Sequence, residues 1–396
     1  MESAVKASSL PESICGSDER VQVLPMTSPP YKWICFLKIT DKNGTVYRGS
    51  GFKIYLPDVH CTAIVTSGHC TYINKAYATH ITVEFPGEAP IDVGAANLYA
   101  SPEYINNGSK DHDYGLIILS GDSKDGFGWS AIVADNELDN RLVTNCGFPG
   151  DKPQNTLWIT GGKIVKYTSN RIYYMNDTMA GQSGSPVYTW YGGYWTVLAV
   201  HSYGGCPNSA PRFTFEMISR FLDRMNCLER KALKSVQFPN AYLRCDGRGV
   251  TGFSGRGGGT VNCQYQPPKT FEKFYICPVQ MTPSLAIQTV CTVVITSAQF
   301  KNVFIRLDGS GMKKFEGPGG GVVNCQFGQR GFERFVMHKR PNGAFVFQSV
   351  SFPHCLIRLD GSQVVKLQPS GSGIVNCQYY NDPLNENTPW EHFNVE

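Results

Sequence analysis

The second part of this 396-residue chain repeats itself three times, and that repeat limits its fold more than any other feature. Ala241-Tyr-Leu-Arg-Cys-Asp246-Gly247, Val303-Phe-Ile-Arg-Leu-Asp308-Gly309 and Cys355-Leu-Ile-Arg-Leu-Asp360-Gly361 are versions of one strand and turn. Each is followed, sixteen residues after its aspartate, by Asn262-Cys-Gln264, Asn324-Cys-Gln326 or Asn376-Cys-Gln378. Each then reaches Phe271-Glu-Lys-Phe274, Phe332-Glu-Arg-Phe335 or Trp390-Glu-His-Phe393. A spacing kept three times implies one supersecondary unit used three times. Asp-Gly is a strong hairpin-turn signal, and the glycine triplets suit a second turn. With about four short strands in each unit, residues 237–396 are expected to form a three-repeat β-trefoil domain.

The repeats are similar to the fascin-like trefoil group. Their matched polar residues (Arg244, Arg306, Arg358; Asp246, Asp308, Asp360; Asn262, Asn324, Asn376) read as turn and capping scaffolding, since such residues have a local reason to be in turns. The recurring Cys263, Cys325 and Cys377 read as small buried side chains. The glutamine–x–tryptophan pattern of ricin-like lectins is absent. The expected role of this domain is targeting or ligand binding, with a glycan or a protein as the ligand.

The first half carries a different signal. Short strand-like runs separated by turns begin at Trp33 and continue to His201, with no helices between them. This is the pattern of an all-β barrel or sandwich. One helix is expected near the end, Phe215–Leu228, with Phe215, Ile218, Phe221, Leu222 and Met225 on one face. Thr214 is its expected N-cap.

Three stretches here could do chemistry together. Gly181-Gln182-Ser183-Gly184-Ser185-Pro186 sets a serine in a glycine-flanked loop. Thr66-Ser67-Gly68-His69-Cys70 places a histidine at a strand tip. Asp111-His112-Asp113-Tyr114 places carboxylates just before an apolar strand. Serine is a weak nucleophile until a base takes its proton. Histidine titrates near neutrality, which suits that task, and a buried carboxylate would fix its tautomer. Singly, the glycine-flanked loop reads equally well as a turn, and a strand-end histidine or aspartate is more often a surface or capping group. Together they run in the order His, Asp, Ser, which is that of the chymotrypsin-like triad.

Residues 13–227 resemble a chymotrypsin-fold serine protease, and most of all the bacterial glutamyl endopeptidases. Ser13-Ile-Cys-Gly-Ser-Asp-Glu-Arg20, Ser67-Gly68-His69-Cys70, Asp113-Tyr114-Gly115, Gly147-Phe-Pro-Gly-Asp151, Asp177-Thr178 and Leu198-Ala-Val-His201 carry the resemblance. It implies two six-stranded barrels with the active site between them. It implies Ser183 as nucleophile, His69 as general base and acid, and Asp113, rather than Asp111, as the orienting carboxylate. The N–H groups of Gly181 and Ser183 would form the oxyanion hole. His201 and Thr178 would receive a glutamate side chain in the substrate-binding pocket. The expected partners are therefore protein or peptide substrates with glutamate at the cleaved bond.

The family's mature chain begins near the position of Ser13. Residues 1–12 are thus an expected pro-segment, cut off by the enzyme itself between Glu12 and Ser13. The charged stretch 228–236 is the expected linker, and Glu229 within it a second self-cleavage point. The alternative, from another class, is a carbohydrate- or protein-binding trefoil protein whose protease-like domain is a scaffold or inactive.

Composition excludes little but is consistent. A net charge of +4 gives no case for nucleic acid. No apolar run is long enough to span a membrane. No Cys-x-x-Cys pair supports a metal, and no cofactor is expected. The first residues lack the apolar core of a secretory signal, which favours the cytoplasm, or secretion if a leader is missing. Most of the fourteen cysteines are accordingly expected as free thiols, with a Cys61–Cys70 pair left open.

Overall fold

The computed structural model describes residues 6–7, 13–56, 59–122, 125–133, 135–283, 290–385 and 388–396. Glu12 and, apart from Lys6–Ala7, the rest of the expected pro-segment lie outside the described residues. Lys6–Ala7 pairs parallel with Tyr47 and Arg48. The described chain is nearly all strand and turn, and its longest helix is Phe215–Arg224. No helix among the described residues is long and apolar enough to cross a membrane. The chain divides into two compact units: residues 1–227 with 280–289, and residues 228–279 with 290–396.

The first unit contains two rings of antiparallel strands. In one, Ile34–Thr40 pairs with Val46–Lys53 and His80–Glu84, and Val46–Lys53 continues through Cys61–Thr66 to Gly115–Ser120. The ring closes through the single stretch 91–100. Its first half pairs with His80–Glu84 and its second half with Gly115–Ser120. Inward-facing Leu37, Ile39, Ile64, Ile81, Val83 and Ile117 fill the interior. In the other ring, Leu142–Gly147 pairs with Trp158–Tyr167 on one side and Pro186–Tyr191 on the other. These lead through Arg171–Tyr174 to Asn208–Pro211, and through Tyr194–Val200 to a bridge at Ala199 and Arg212 that closes it. Val143, Ile164, Ile172, Val187 and Leu198 form its core. Six strand stretches in each ring match the number expected, and closure removes the exposed edges an open sheet would leave.

The expected helix forms, with Thr214 Oγ1 accepting from Met217 N at 3.2 Å. It buries Met217, Ile218, Phe221 and Leu222 and stops at Arg224, four residues early. Asn226 takes a left-handed conformation there (φ 57°), which ends the turn.

The second unit shows the repeat as three matched strand pairs. Ala241–Asp246 pairs with Gly259–Tyr265, Val303–Asp308 with Val322–Phe327, and Cys355–Asp360 with Ile374–Tyr379. Register is identical: Arg244 faces Asn262, Arg306 faces Asn324, and Arg358 faces Asn376. The repeats also join cyclically. Gly258 N bonds Cys325 O, Gly320 N bonds Cys377 O, and Ser372 N bonds Cys263 O. Cys263, Cys325 and Cys377 are fully buried in the shared core, with Phe274, Phe335 and Phe393. The Asp-Gly pairs do not make tight hairpins, since about a dozen residues separate the paired strands. Each aspartate instead accepts from the N–H two residues on: Arg248, Ser310 and Ser362.

Two boundaries differ from expectation. The stretch 228–236 carries a strand, Leu233–Ser235, paired with Phe393–Val395. Residues 280–289, inside the expected trefoil, belong to the first unit, where Gln280 and Met281 pair with Ser130 and Trp129.

Candidate active site

His69 and Asp113 are brought together by strand register. Cys61–Thr66 and Gly115–Ser120 pair with Thr66 opposite Gly115. The residues just beyond those ends therefore share one edge of the ring. The chain after Thr66 turns into a single helical turn, Gly68–Thr71, which carries His69. The carboxylate of Asp113 is fully buried and receives two hydrogen bonds from His69. One comes from the backbone N to Oδ1 (2.9 Å), and the other links ring Nδ1 to Oδ2 (2.8 Å). That arrangement fixes Nδ1 as the protonated nitrogen and leaves Nε2 as the basic one. His69 Nε2 is buried and has no hydrogen-bond partner among the described residues. Burial alone would lower the pKa of this ring. The charge and hydrogen bond of Asp113, together with Cys70, outweigh burial and raise it well above the ordinary histidine value.

The serine loop packs against the same edge. Gly184 has φ +87°, and a Cβ there would collide with Ser50 O and Thr66 Oγ1. Gly181 has φ +104°, and a Cβ there would come within 2.7 Å of Phe148 O. Both positions need glycine for conformation and for space. Ser50 N bonds Ser183 O at 2.8 Å, and Gly184 N bonds His201 O at 2.7 Å. Ser67 Oγ also donates to His201 O, at 2.7 Å, so one carbonyl ties the histidine segment to the serine loop. Gln182, fully buried, bonds Met179 N and Asn145, which holds the loop from below. Ser183 and the Gly181 and Ser183 amides thus sit on a braced turn, with Ser183 O 3.7 Å from Sγ of Cys70, the residue after His69.

His201 is fully buried at the end of Tyr194–Val200, and its Nδ1 contacts Tyr174 OH at 2.5 Å. Thr178 lies one cross-strand step away. Its hydroxyl donates to Asn208 Oδ1 at 3.0 Å, and Asn208 is the register partner of Tyr174. The expected contact of Thr178 with a carboxylate therefore competes with Asn208 for one proton. Ser13 reaches this place as well, its carbonyl accepting from Thr178 N (3.2 Å) and Asn208 Nδ2 (3.3 Å).

The sequence alone does not point to several other residues here. Cys15 and Cys206 form a disulfide with Cα atoms 5.5 Å apart, while Cys61 and Cys70 are both free thiols. Asp177 accepts from Cys15 N and Glu19 N, and Arg20 chelates Asp18 and Asp151. Tyr174, Asn208 and Ser202, whose hydroxyl donates to Asp113 O at 3.1 Å, give no signal because nothing local marks them. Asp111, the rejected alternative, is paired with Arg171 at 2.8 Å. One group among the described residues has metal-ligand proximity, Glu103, His112 and Glu216. Arg220 pairs with both of its carboxylates, at Glu103 Oε2 and Glu216 Oε1.

About half of the chain is similar to known proteases. It is 41% identical over 219 residues to a glutamyl endopeptidase of Staphylococcus epidermidis, covering 50% of this chain and 69% of that protein. It is 30% identical over 233 residues to the glutamyl endopeptidase of Bacillus licheniformis, covering 54% and 70%. A Bacillus subtilis protein named extracellular metalloprotease is 31% identical over 205 residues. There the match covers 49% of this chain and 64% of the relative, just under two thirds of its length. A solved structure of a Glu endopeptidase in complex with MPD aligns at TM-score 0.43 and 24% identity, over 54% of this chain and 97% of that one. No family model matches the chain.

Proposed function

We propose that this chain, which belongs to the glutamyl endopeptidase family over about half its length, is a serine endopeptidase that cleaves after glutamate. Ser183 attacks the substrate carbonyl while His69 Nε2 takes its proton. His69 then returns that proton to the leaving amine, and water repeats the cycle to release the acyl group. Asp113 holds the ring and stabilises its cationic form. The N–H groups of Gly181 and Ser183 receive the negative oxygen as it develops. The observation that carries this reading is the pair of bonds from His69 to buried Asp113, with Nε2 left to act.

Glutamate selection is assigned to His201. Tyr174 engages its Nδ1, so Nε2 is the atom for a charge-assisted bond to a substrate carboxylate. Thr178 joins by turning from Asn208, or acts by holding Asn208 in place. The second unit is proposed to be a β-trefoil that binds a ligand, supported by three equal registers and cyclic joining.

The test is hydrolysis of matched peptides with Glu, Asp, Lys or Phe before the scissile bond. Preference for Glu is expected. A folded protein that cleaves none of them would favour the binding-protein alternative. Preference for Lys would keep the peptidase and remove the role of His201.

A further inference from the structure

Threefold repetition lets the second unit be compared with itself. At each junction a loop from one repeat lies over the Gln of the next. Ser254 N bonds Gln326 Oε1, Glu316 N bonds Gln378 Oε1, and Gln368 N bonds Gln264 Oε1, at 3.1 to 3.2 Å. The three preceding residues are therefore equivalent: Phe253, Phe315 and Leu367. Each repeat also holds a buried arginine whose guanidinium lies over a partly buried aromatic ring. Arg306 lies 4.8 Å from the Phe332 centroid, Arg358 4.3 Å from Trp390, and Arg244 4.9 Å from Phe271.

Beyond that, the three junctions differ. Phe253 carries the Arg330 guanidinium 3.9 Å over its ring, and Phe315 packs on Tyr380 at 5.5 Å. The third junction has Leu367, half exposed, where the others have a ring. The residue matching Arg330 is Lys269: each donates its backbone N to the buried glutamate of its repeat, Glu333 or Glu272. Lys269 has no ion pair and no ring beneath it among the described residues. A cavity of about 440 Å³ lies here, lined by Arg244, Gln264, Lys269, Phe271, Leu367 and Pro369 among others. Its floor is already ordered, since Gln264 Nε2 bonds Gln368 O and Arg244 bonds Pro369 O.

We propose that this junction is a binding site for an aromatic side chain presented by a peptide. The ring would take the place that Phe253 and Phe315 occupy at the other two junctions. Lys269 would lie over its face, and Leu367 and Pro369 would cover its edge. At two junctions the residue in this place is a ring that carries a cation or a second ring on its face. The third has the cation and lacks the ring. Cation–ring attraction and apolar burial would then act together. The volume falls in the range of small-ligand sites. The proposal is independent of the peptidase reading.

The experiment uses the full chain carrying Ser183→Ala and measures saturation-transfer NMR with two probes, N-acetylphenylalaninamide and N-acetylleucinamide. Binding of the aromatic probe is expected, with the aliphatic probe at least about tenfold weaker. Leu367→Phe should fill the space and abolish the aromatic signal. Lys269→Gln, an exposed change that leaves the floor intact, should weaken it several-fold. Equal binding of both probes, no binding of either, or unchanged binding by Leu367→Phe would each overturn the proposal. Unaltered far-UV circular dichroism in both variants separates loss of the site from loss of the fold.

Discussion

At the scale of single residues, the proposed mechanism rests on His69 being neutral when Ser183 attacks. Asp113 raises the His69 pKa, so the acid limb of the kcat/KM profile is expected above pH 6.5. Asp113→Asn removes the charge that raises it. The limb should then move to lower pH, while kcat falls by about four orders of magnitude, as for other triads made amide at this position. A limb that stays in place would deny His69 the role of base. The same shift has a consequence for folding. The raised pKa means the charged ring is favoured in the folded chain. That contribution is fully present below the unfolded value near 6.5 and is lost as pH rises through the folded value. Thermal unfolding of wild type and His69→Gln across that window measures it. Ser183→Ala should leave Tm nearly unchanged and remove turnover, because backbone bonds and Gln182 brace the loop.

At the scale of elements, the segment 13–20 is a strap across the proposed specificity pocket. Its ties are Ser13 O to Thr178 and Asn208, Cys15 N and Glu19 N to Asp177, and the Cys15–Cys206 bond. Cys15→Ser leaves the hydrogen bonds but frees one end. KM for glutamyl substrates should rise several-fold with kcat nearly constant, and mild reduction of the wild type should do the same. An equal fall in kcat would mean that the strap supports the catalytic residues instead. This element also shows where the sequence stops being readable. The catalytic stretches are legible because each has a local reason: a strand tip, a carboxylate before a strand, glycines that must be glycines. The repeats are legible because the chain supplies its own comparison. The pairing of two cysteines 191 residues apart has no local reason; it depends on Val21–Gln22 lying beside Trp158 and Ile159. The Asp-Gly pairs mislead for the opposite cause. Their local chemistry is as expected, a carboxylate capping the N–H two residues on. Beyond each cap runs a long loop whose partner is the next repeat, and a dipeptide holds no record of that.

At the scale of the whole molecule, the first unit is not one continuous stretch of chain. Residues 280–289 belong to it, and Gln280 and Met281 form a strand pairing with Ser130 and Trp129. Beside that pairing, Gly128 is packed so closely that a Cβ would meet Thr282 Cγ2 at 3.0 Å and Tyr194 Cδ1 at 3.2 Å. The sequence hides this because the excursion interrupts a repeat whose matched residues all survive on either side. It changes the outcome of self-cleavage. Glu229 is exposed and, among the described residues, its ion pair is with its neighbour Lys231, at 2.5 Å, so it offers a glutamyl bond for attack. From the sequence alone, a cut there would release residues 230–396. Such a fragment would still carry Gln280 and Met281, which would stay paired with Ser130 and Trp129 of the first unit. Active enzyme on prolonged incubation should therefore give two bands on a denaturing gel but one species in native size exclusion. Ser183→Ala should give one of each. Truncation after Cys227, which removes the Gln280–Met281 strand, should lower the Tm of the peptidase unit relative to the same unit in the cut enzyme. Fragments that separate on native sizing, or a truncated unit as stable as the cut one, would show that residues 280–289 contribute nothing to the stability of the first unit.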